Sequence, residues 1–369
     1  MGKKIIISGV DFSANAIPIA KAVKGTTSPQ YVYVANVENP SAGFDWDAHK
    51  VEVQISSDGS IVNFNNLPSN TVALPYFFTG SADSNGWIKE IDLSYLSSYP
   101  LTSIRTMLGK CISLERVVIG GSFLSLSGNE AAKYLVFNST IDEIVIDKTF
   151  HAPNLSNINF MFYGAKAKSM KGLMNLIKPS VQNASYLFYD CNRLKELDLT
   201  GCDTSNISDF SHMFRNCRNL ERIIGINELD TSGVSDYTQM FSDCGCFGTL
   251  NISNWSIAAN AKTERMFYSA KVYDLNANCF TALYGNVSGM FYLETWNTIH
   301  LDNLNDVSAV TQSTDFFGSY VTGTPKVTIA NVTNSAVKTF LINALNARSV
   351  GGSSNWHEDT VDGVLCLVP

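Results

Sequence analysis

The chain has 369 residues, of which 45% are hydrophobic and 16% charged, and its formal net charge is -7. This length suffices for a long packed core, whereas the acidic balance and the lack of a basic cluster argue against nucleic-acid binding. The sequence contains no apolar run of about eighteen residues or more, so it predicts no membrane-spanning helix.

Residues 1–75 are predicted to form a small β-rich module that attaches or caps the chain. Strand-like runs occur at residues 3–8 and 31–34, and a hairpin is predicted between residues 51–55 and 61–64. The basic start at Lys3 and Lys4 precedes only a short isoleucine run that ends at Ser8. Because this run is too short for a signal peptide, we expect no export by the general secretory route.

A large apolar residue, the anchor, then returns about every 26 residues. The spacings are 27, 27, 26, 26, 27, 26, 24 and 26. The anchors are Leu108, Leu135, Phe162, Phe188, Phe214, Phe241, Phe267, Phe291 and Phe317. A fixed period of this size is typical of stacked repeats, so residues 76–330 are predicted to form a solenoid.

Spacing within a unit predicts its secondary structure. Leu197 and Leu199 alternate with polar residues, as in a strand with one buried face. Phe210, Met213 and Phe214 have the i, i+3, i+4 spacing of an amphipathic helix. We therefore expect an α/β solenoid of the leucine-rich-repeat type, with about nine to ten units of 24–27 residues, strands on one side and helices on the other.

The repeat resembles a known family. Residues 197–220 read LDLTGCDTSNISDFSHMFRNCRNL, which is similar to the BspA-like leucine-rich surface-protein repeat L-x-L-S-x-F-D-T-S-N-V-T-D-M-S-x-M-F-x-x-C-x-x-L. The match is close over residues 203–220, good over 230–244 and weaker outwards, and extends over about residues 76–330. The resemblance implies a binding or structural solenoid, common on bacterial surfaces, that has no catalytic residues.

A second resemblance concerns the N-terminus. Residues 4–17, KIIISGVDFSANAI, resemble N-terminal segments of phage and prophage proteins from Bacteroides-type bacteria. Together with the missing export signal, this resemblance favours a bacteriophage protein that is released by lysis.

Residues 331–369 are predicted to cap the far end of the solenoid. Val337, Phe340, Leu341 and Leu345 have helical spacing within residues 335–348, after a final repeat strand at residues 327–329. The apolar tail at residues 364–368 is expected to pair on the exposed end of the stack, because a bare terminal coil leaves strand groups open.

The cysteines indicate packing rather than chemistry. Cys111, Cys191, Cys217 and Cys244 lie three residues after an anchor, where other units have Ala165, Ala270 and Asn138. Free cysteine behaves there as a small buried apolar residue. Cys244 and Cys246 have no second pair at zinc-site spacing, so neither a metal, a cofactor nor a disulfide framework is predicted.

Catalytic residues are not predicted. The five histidines fall in different units or flanks, and none lies in a motif with a nucleophile. Carboxylate pairs such as Glu143 with Asp147, or Glu228 with Asp230, have the composition of a glycosidase site, but such residues in loops are more often turns or helix caps. A glycan-active enzyme is the least favoured hypothesis.

A binding surface is predicted on the strand side, where outward side chains repeat in register. The candidate residues are Arg116, Glu143, Glu196, Asp198, Arg222 and Asn251. Trp255, Tyr273 and Trp296 lie near turns, where they either stack on sugar rings or, for the two tryptophans, belong to the core.

The main functional hypothesis is a non-enzymatic virion protein, associated with a phage tail or fibre, that recognises a host. Its partners are other virion proteins, or a protein or glycan of the bacterial surface, and a homo-oligomer stays open. The alternative is a bacterial cell-surface adhesin or interaction module.

Overall fold

The computed structural model describes residues 6–7, 10–11, 20–22, 30–33, 50–55, 61–63, 71, 73–74, 88–245, 247–318, 325–347, 350, 353 and 355–369. Before residue 71 only the backbone of the strands is described. The chain divides into two compact units, Met1–Leu176 and Ile177–Pro369, here unit 1 and unit 2. Both are built from coils with parallel strands, which confirms the predicted solenoid and gives it about nine coils, at the lower end of the predicted nine to ten. The proposed domain boundaries at residues 75 and 330 stay predictions.

Unit 1 combines a parallel and an antiparallel region in one sheet. Its strands are β1 (Ile6–Ile7), β2 (Val10–Asp11), β3 (Ala20–Ala22), β4 (Gln30–Tyr33), β5 (Lys50–Ile55), β6 (Ile61–Asn63), β7 (Ile88–Asp92), β8 (Arg116–Ile119), β9 (Glu143–Ile146) and β10 (Ser169–Lys171). Strands β7 to β10 are parallel, and the sheet continues antiparallel through β3, β6, β5 and β4. The pairing of β5 with β6 confirms the predicted hairpin.

Unit 2 contains three groups of strands. Its elements are β11 (Glu196–Asp198), β12 (Arg222–Ile224), β13 (Phe247–Asn251), β14 (Val272–Asn276), β15 (Ala282–Asn286), β16 (Thr298–His300), β17 (Asp306–Gln312), β18 (Lys326–Thr328), α1 (Ser335–Ala347), β19 (His357–Val361) and β20 (Val364–Val368). Strand β11 pairs with β12 and β15 with β17, and β13, β14, β16 and β18 form a parallel sheet.

The C-terminal elements close that sheet as the sequence predicts. Strand β20 lies antiparallel to β18, with Val327 opposite Leu367, and β19 folds back on β20. Helix α1 buries Val337, Leu341 and Leu345. The predicted helix and the predicted pairing of the apolar tail are both confirmed.

A row of stacked rings forms the core behind the strands. Phe214 lies between Phe188 and Phe241, with ring centroids 5.6 and 5.4 Å apart, and Phe241 stacks on Phe267 at 5.4 Å. All nine predicted anchors are fully buried. Each ring fills the space between two coils, so neighbouring coils share one continuous core.

The segment around each anchor is not helical. Phe210, Met213 and Phe214 are buried as predicted, but His212 and Asn216 have φ angles of 57° and 64°. An α-helix requires right-handed φ throughout, so two left-handed residues four positions apart break it. The predicted helix opposite each strand is therefore wrong, and turns take its place. Within the described ranges, α1 is the one α-helix.

These turns are bonded both internally and to the next coil. Met213 donates its N–H to the Phe210 carbonyl at 3.2 Å within the turn, whereas Phe214 donates to Met240 of the next coil at 2.9 Å. The same alternation recurs along the segment. The backbone therefore links neighbouring coils on the turn side as well as at the strands.

One coil departs from the predicted register. Leu108 donates its N–H to Leu135 at 2.8 Å, as Phe214 does to Met240, so the anchor equivalent to Phe241 is Val136 rather than Leu135. Both Leu135 and Val136 are fully buried. The loop between this anchor and its strand is one residue shorter than in the coil before it. Because the sequence register was read from the strand, it placed the anchor one residue too early.

The Asp-Thr-Ser element of the repeat forms a turn and a bond to the next coil. The Asp203 carboxylate accepts the Ser205 N–H at 3.1 Å and its hydroxyl at 2.6 Å. Thr204 is buried and donates its hydroxyl to the Asp230 carbonyl, one coil further on, at 2.8 Å. The aspartate therefore shapes the turn, and the threonine ties two coils together.

Candidate binding surfaces

Three charged side chains form a row on the strand face of unit 1. Arg116 Nε lies 3.0 Å from Glu143 Oε2, and Lys171 Nζ contacts the other carboxylate oxygen. Hydrogen bonds from Lys171 and then Arg116 lower the pKa of Glu143. One carboxylate on the middle strand thus contacts a cation on each of the two neighbouring strands.

The strand face of unit 2 repeats this arrangement. Glu196 lies 3.4 Å from Arg222, and beside this pair Lys195 lies 3.1 Å from Glu221. Each pair joins equivalent positions of adjacent coils, where opposite charges alternate. Such pairs satisfy charges at the surface and leave little net field to attract a ligand.

Asp198 and Asn251, the other two predicted residues, shape turns. The Asp198 carboxylate accepts the Thr200 N–H at 2.9 Å, and the Asn251 amide oxygen accepts the Ser253 N–H at 3.0 Å. Hydrogen bonds from Thr200 lower the pKa of Asp198. Of the six predicted residues, the structure therefore pairs Arg116 with Glu143 and Glu196 with Arg222. Asp198 and Asn251 instead accept hydrogen bonds within their own turns.

The two tryptophans belong to the core. Trp255 is 4% exposed and donates its indole N–H to the Ile226 carbonyl at 2.7 Å, and Trp296 is fully buried. Tyr273 is 47% exposed. Of the three aromatic candidates, only Tyr273 is available to a ligand on the strand face.

The most distinctive surface lies on the opposite side of the coil, on side chains two residues before and one residue after the anchor. We call this side the turn face. In unit 1 it carries an aromatic cluster that consists of Tyr134, Phe137, Phe160 and Tyr163. Their ring centroids lie 5.3–5.8 Å apart in five pairs, and all four side chains are half-buried.

A basic side chain, linked through an acid to a second one, lies against this cluster. Lys133 Nζ lies 5.4 Å from the ring centre of Tyr134 and 5.2 Å from that of Phe160. Glu130 contacts both Lys133, at 2.8 Å, and Arg105, at 2.9 Å. A cation over an aromatic face is a favourable arrangement that holds the amine at the edge of the cluster.

The same positions of unit 2 carry rings and cations. Tyr186 stacks on His212 with centroids 4.2 Å apart and planes 6° from parallel, and Arg215 lies over the Tyr189 ring at 5.6 Å. Burial, and next the Arg215 charge, lower the pKa of His212 to about 4. His212 is therefore neutral at physiological pH and acts as an aromatic surface residue.

Further along unit 2, the pattern recurs. Tyr268 stacks on Tyr292 with centroids 4.8 Å apart, and Arg265 lies over the Tyr268 ring at 5.6 Å. Aromatic rings with a neighbouring cation therefore occur on the turn face of both units.

The backbone at the position two before the anchor adopts a left-handed conformation that most side chains disfavour. The position two before the anchor has φ between 51° and 62° in every coil. Its residues are Thr106, Tyr134, Phe160, Tyr186, His212, Gln239, Arg265, Gly289 and Asp315. A left-handed residue with a side chain costs about 1–2 kcal/mol, and glycine, asparagine and aspartate tolerate it best.

The position two after the anchor is also left-handed in most coils, and there five of the seven residues are glycine, asparagine or aspartate. The seven residues are Lys110, Asn138, Gly164, Asp190, Asn216, Asp243 and Ser269. Before the anchor, by contrast, rings occupy the strained position in four of the nine coils, at Tyr134, Phe160, Tyr186 and His212. These rings are therefore retained for the contacts of their side chains, either with each other or with a ligand.

The sequence analysis placed its candidate residues on the strands and did not single out the turn face. The available signal was the recurrence of Tyr134, Phe160, Tyr186 and His212 two residues before successive anchors. In the predicted amphipathic helix, these four positions would lie on the solvent-exposed side, where ring side chains need no special explanation.

A polar cleft of about 310 Å³ opens between coils of unit 2. Its walls carry two cations and two carboxylates, and one cation, Lys271, lies 3.2 Å from Glu294. The lining residues are Arg218, Asp243, Cys244, Gly245, Ser269, Lys271 and Glu294. Opposite charges on the same walls give the cleft no preference for one sign of ligand.

The cysteine column is part of the core. Cys111, Cys191, Cys217 and Cys244 are buried thiols, and burial raises the pKa of the Cys217 thiol to about 12. Ser139, not the predicted Asn138, fills this column beside Val136, and its hydroxyl donates to the Leu108 carbonyl. Within the described residues, no group of three or more histidine, cysteine or acidic side chains is placed to hold a metal.

No described helix is both long enough and apolar enough to cross a membrane. Among known protein families, one described as "Mycoplasma protein of unknown function, DUF285" matches residues 182–304. This stretch contains the two units in which the BspA-like repeat is clearest. No curated protein matches the chain.

Two solved structures are similar to it. One is a leucine-rich repeat protein from Bacteroides ovatus, with 12% identity, a TM-score of 0.31, and coverage of 80% of this chain and 91% of the other. The second is a leucine-rich cell surface protein from Faecalibacterium prausnitzii, with 12% identity, a TM-score of 0.19, and coverage of 80% and 82%. Likenesses at these scores carry no conclusion about function.

Proposed function

We propose that this chain is a non-enzymatic binding module that works at a bacterial cell surface and attaches to an external macromolecule through its turn face. The observation that carries the proposal is the aromatic cluster of unit 1, in which rings occupy strained left-handed positions and keep part of their surface in solvent. A stack of coils repeats such positions in register and so provides an extended surface for binding.

The carboxylates considered for glycan hydrolysis support a binding role over an enzymatic one. Glu143 is held between Arg116 and Lys171, and Asp230 accepts the Ser232 N–H at 2.9 Å to form a turn. The pKa values of both carboxyls are lowered, whereas a general acid needs a raised one. Each carboxylate therefore has a structural use.

The location rests on the resemblance of residues 203–220 to the BspA-like surface repeat. The phage hypothesis rests on residues 4–17, most of which lie outside the described residues, and no comparison supports a virion role. The cell-surface alternative is therefore the one we carry forward.

The proposal is tested by labelling intact bacteria that produce the full chain with a membrane-impermeant amine reagent, with a cytoplasmic enzyme as the control for cell integrity. We expect label on this protein and none on the control enzyme. Labelling only after lysis, or recovery of the chain in purified phage particles by mass spectrometry, would refute the surface role.

A further inference from the structure

The turn face of unit 1 also indicates the chemistry of a ligand, an inference that rests on the proposed function. The segments around its three anchors carry four basic residues, Arg105, Lys110, Lys133 and Lys166, and one acid, Glu130. Four positive charges and one negative charge give this face a net charge of +3, whereas the whole chain carries -7. We call these four basic residues the basic rim.

This local charge differs from that of the strand face. There, strands β7 to β10 and the residue before each of the last three carry four basic residues and five acids, so the charges of the face nearly cancel. The basic residues are Lys89, Arg116, Lys168 and Lys171, and the acids are Glu90, Asp92, Glu115, Asp142 and Glu143. On the turn face, Glu130 is shared between Arg105 and Lys133, so this one acid is spread over two cations. The turn-face segments of unit 1 therefore have four basic residues for one acid, whereas the strand face has nearly equal numbers, and this difference favours an anionic partner.

The aromatic cluster adds a second requirement. Its rings are half-buried, so each presents some apolar surface, and Tyr134 and Tyr163 add hydroxyl groups. Sugar rings have apolar C–H faces that pack on aromatic rings and hydroxyls that bond to tyrosine. An aromatic surface bordered by cations is thus suited to a sugar that carries an acidic group.

Repetition favours a polymer over a small molecule. Phe160 and Tyr163 occupy in one coil the positions that Tyr134 and Phe137 occupy in the preceding coil. A surface that repeats with each coil fits a ligand that also repeats, and hydrogen-bonding groups on the rings add affinity at every repeat.

From these observations we propose that the turn face of unit 1 binds an anionic polysaccharide, with its sugar rings on the aromatic cluster and its acidic groups on the basic rim. Nucleic acid has bases that stack and a negative backbone, but the acidic balance of the whole chain opposes it. A nucleic acid is therefore the competing ligand that the test must separate.

The test uses the full chain in biolayer interferometry against immobilised chondroitin sulfate, with neutral dextran and single-stranded DNA of similar length as comparison ligands. We expect binding to chondroitin sulfate that weakens with added salt, because exposed charges are screened. Binding to dextran should be absent. Equal binding to dextran, or tighter binding to DNA than to chondroitin sulfate, would overturn the proposal.

Variants locate the site. Tyr134→Asn removes a ring and places asparagine at a left-handed position that suits it, and Tyr163→Ser removes a second ring. Together they should weaken chondroitin sulfate binding about tenfold or more, as loss of aromatic contact residues does at interfaces. Tyr273→Ser is the matched control, since it removes an exposed tyrosine from the strand face.

Thermal unfolding of each variant separates lost binding from lost folding. Equal loss of binding in the double variant and in Tyr273→Ser would contradict the assignment to the turn face. If the protein is labelled on intact cells but does not bind chondroitin sulfate, the ligand proposed here is wrong while the surface role stands.

Discussion

Replacing Phe214 by alanine tests the packing of the stack most sharply. Its ring is fully buried and stacks on Phe188 and Phe241 at 5.6 and 5.4 Å. Phenylalanine-to-alanine changes in cores cost about 3–5 kcal/mol, because the removed ring leaves a cavity. At about 2–4 °C per kcal/mol for a unit of this size, we expect the melting temperature of unit 2 to fall by about 6–20 °C.

Hydrogen exchange with mass spectrometry shows where the damage lies. Coils in a stack contact only their neighbours, so faster exchange should centre on residues 188–245 and decline towards α1. Phe214→Leu is the control, since Leu108 fills the same column in unit 1, and it should cost under about 1.5 kcal/mol. A loss below about 1 kcal/mol for the alanine variant, or exchange that rises uniformly over the chain, would refute this account.

Three further changes have specific expected outcomes. Arg222→Ala should change the unfolding free energy in urea by under about 1 kcal/mol, because its partner Glu196 is more than half exposed. Cys217→Ser should fold normally, since Ser139 fills this column in unit 1. Wild-type Cys217 should resist alkylation by iodoacetamide at pH 8, because burial raises the pKa of its thiol to about 12. Rapid alkylation of the folded chain would contradict this burial. Asp198 has a lowered pKa in the folded state, so its contribution is complete above the unfolded value of about 3.9 and is lost as pH falls through the folded pKa. Asp198→Asn should keep the turn and flatten the decline of melting temperature between about pH 5 and 2, and an unchanged decline would show that this carboxylate is not responsible.

The period of the sequence predicts the stack because each coil must bury an anchor against its neighbours. Phe188, Phe214 and Phe241 recur at intervals set by the length of one coil. The strands follow from the same burial, since Leu197 is buried between exposed Glu196 and Asp198. These features depend on side-chain polarity alone, which a sequence shows directly.

The turns could not be predicted in the same way. Phe210, Met213 and Phe214 are buried in the structure as they would be in a helix, so their pattern does not separate the two. What separates them is the sign of φ at His212 and Asn216. Histidine and asparagine are enriched at positive φ, but only a minority of them adopt it, so their identity alone does not predict a left-handed residue. The prediction of Leu135 rather than Val136 as an anchor was wrong for a different local reason. In that coil a one-residue deletion shifts the strand relative to the turn, and the strand set the predicted register.

The choice of the turn face as the proposed binding surface depended on the backbone conformation. If the segment were helical, His212 and Tyr186 would be ordinary surface residues of a helix, and the regular strand face would be the natural site. The structure places their rings in contact at left-handed positions and pairs the charges of the strand face. The pattern of residue types therefore predicts the stacked coils, whereas the choice of a face for the proposed binding surface required the backbone conformation.

The central claim is that binding lies on the turn face rather than the strand face. The direct measurement is the retention of protein-coated beads on one host-cell layer. It compares the unchanged full chain with two double variants. The turn-face pair combines Tyr134→Asn and Tyr163→Ser, and the strand-face pair combines Arg116→Gln and Glu143→Gln. The account predicts that the turn-face pair lowers bead retention about tenfold, whereas the strand-face pair, which removes a mutually neutral ion pair, leaves it unchanged. Loss of retention in the strand-face pair alone would contradict the account.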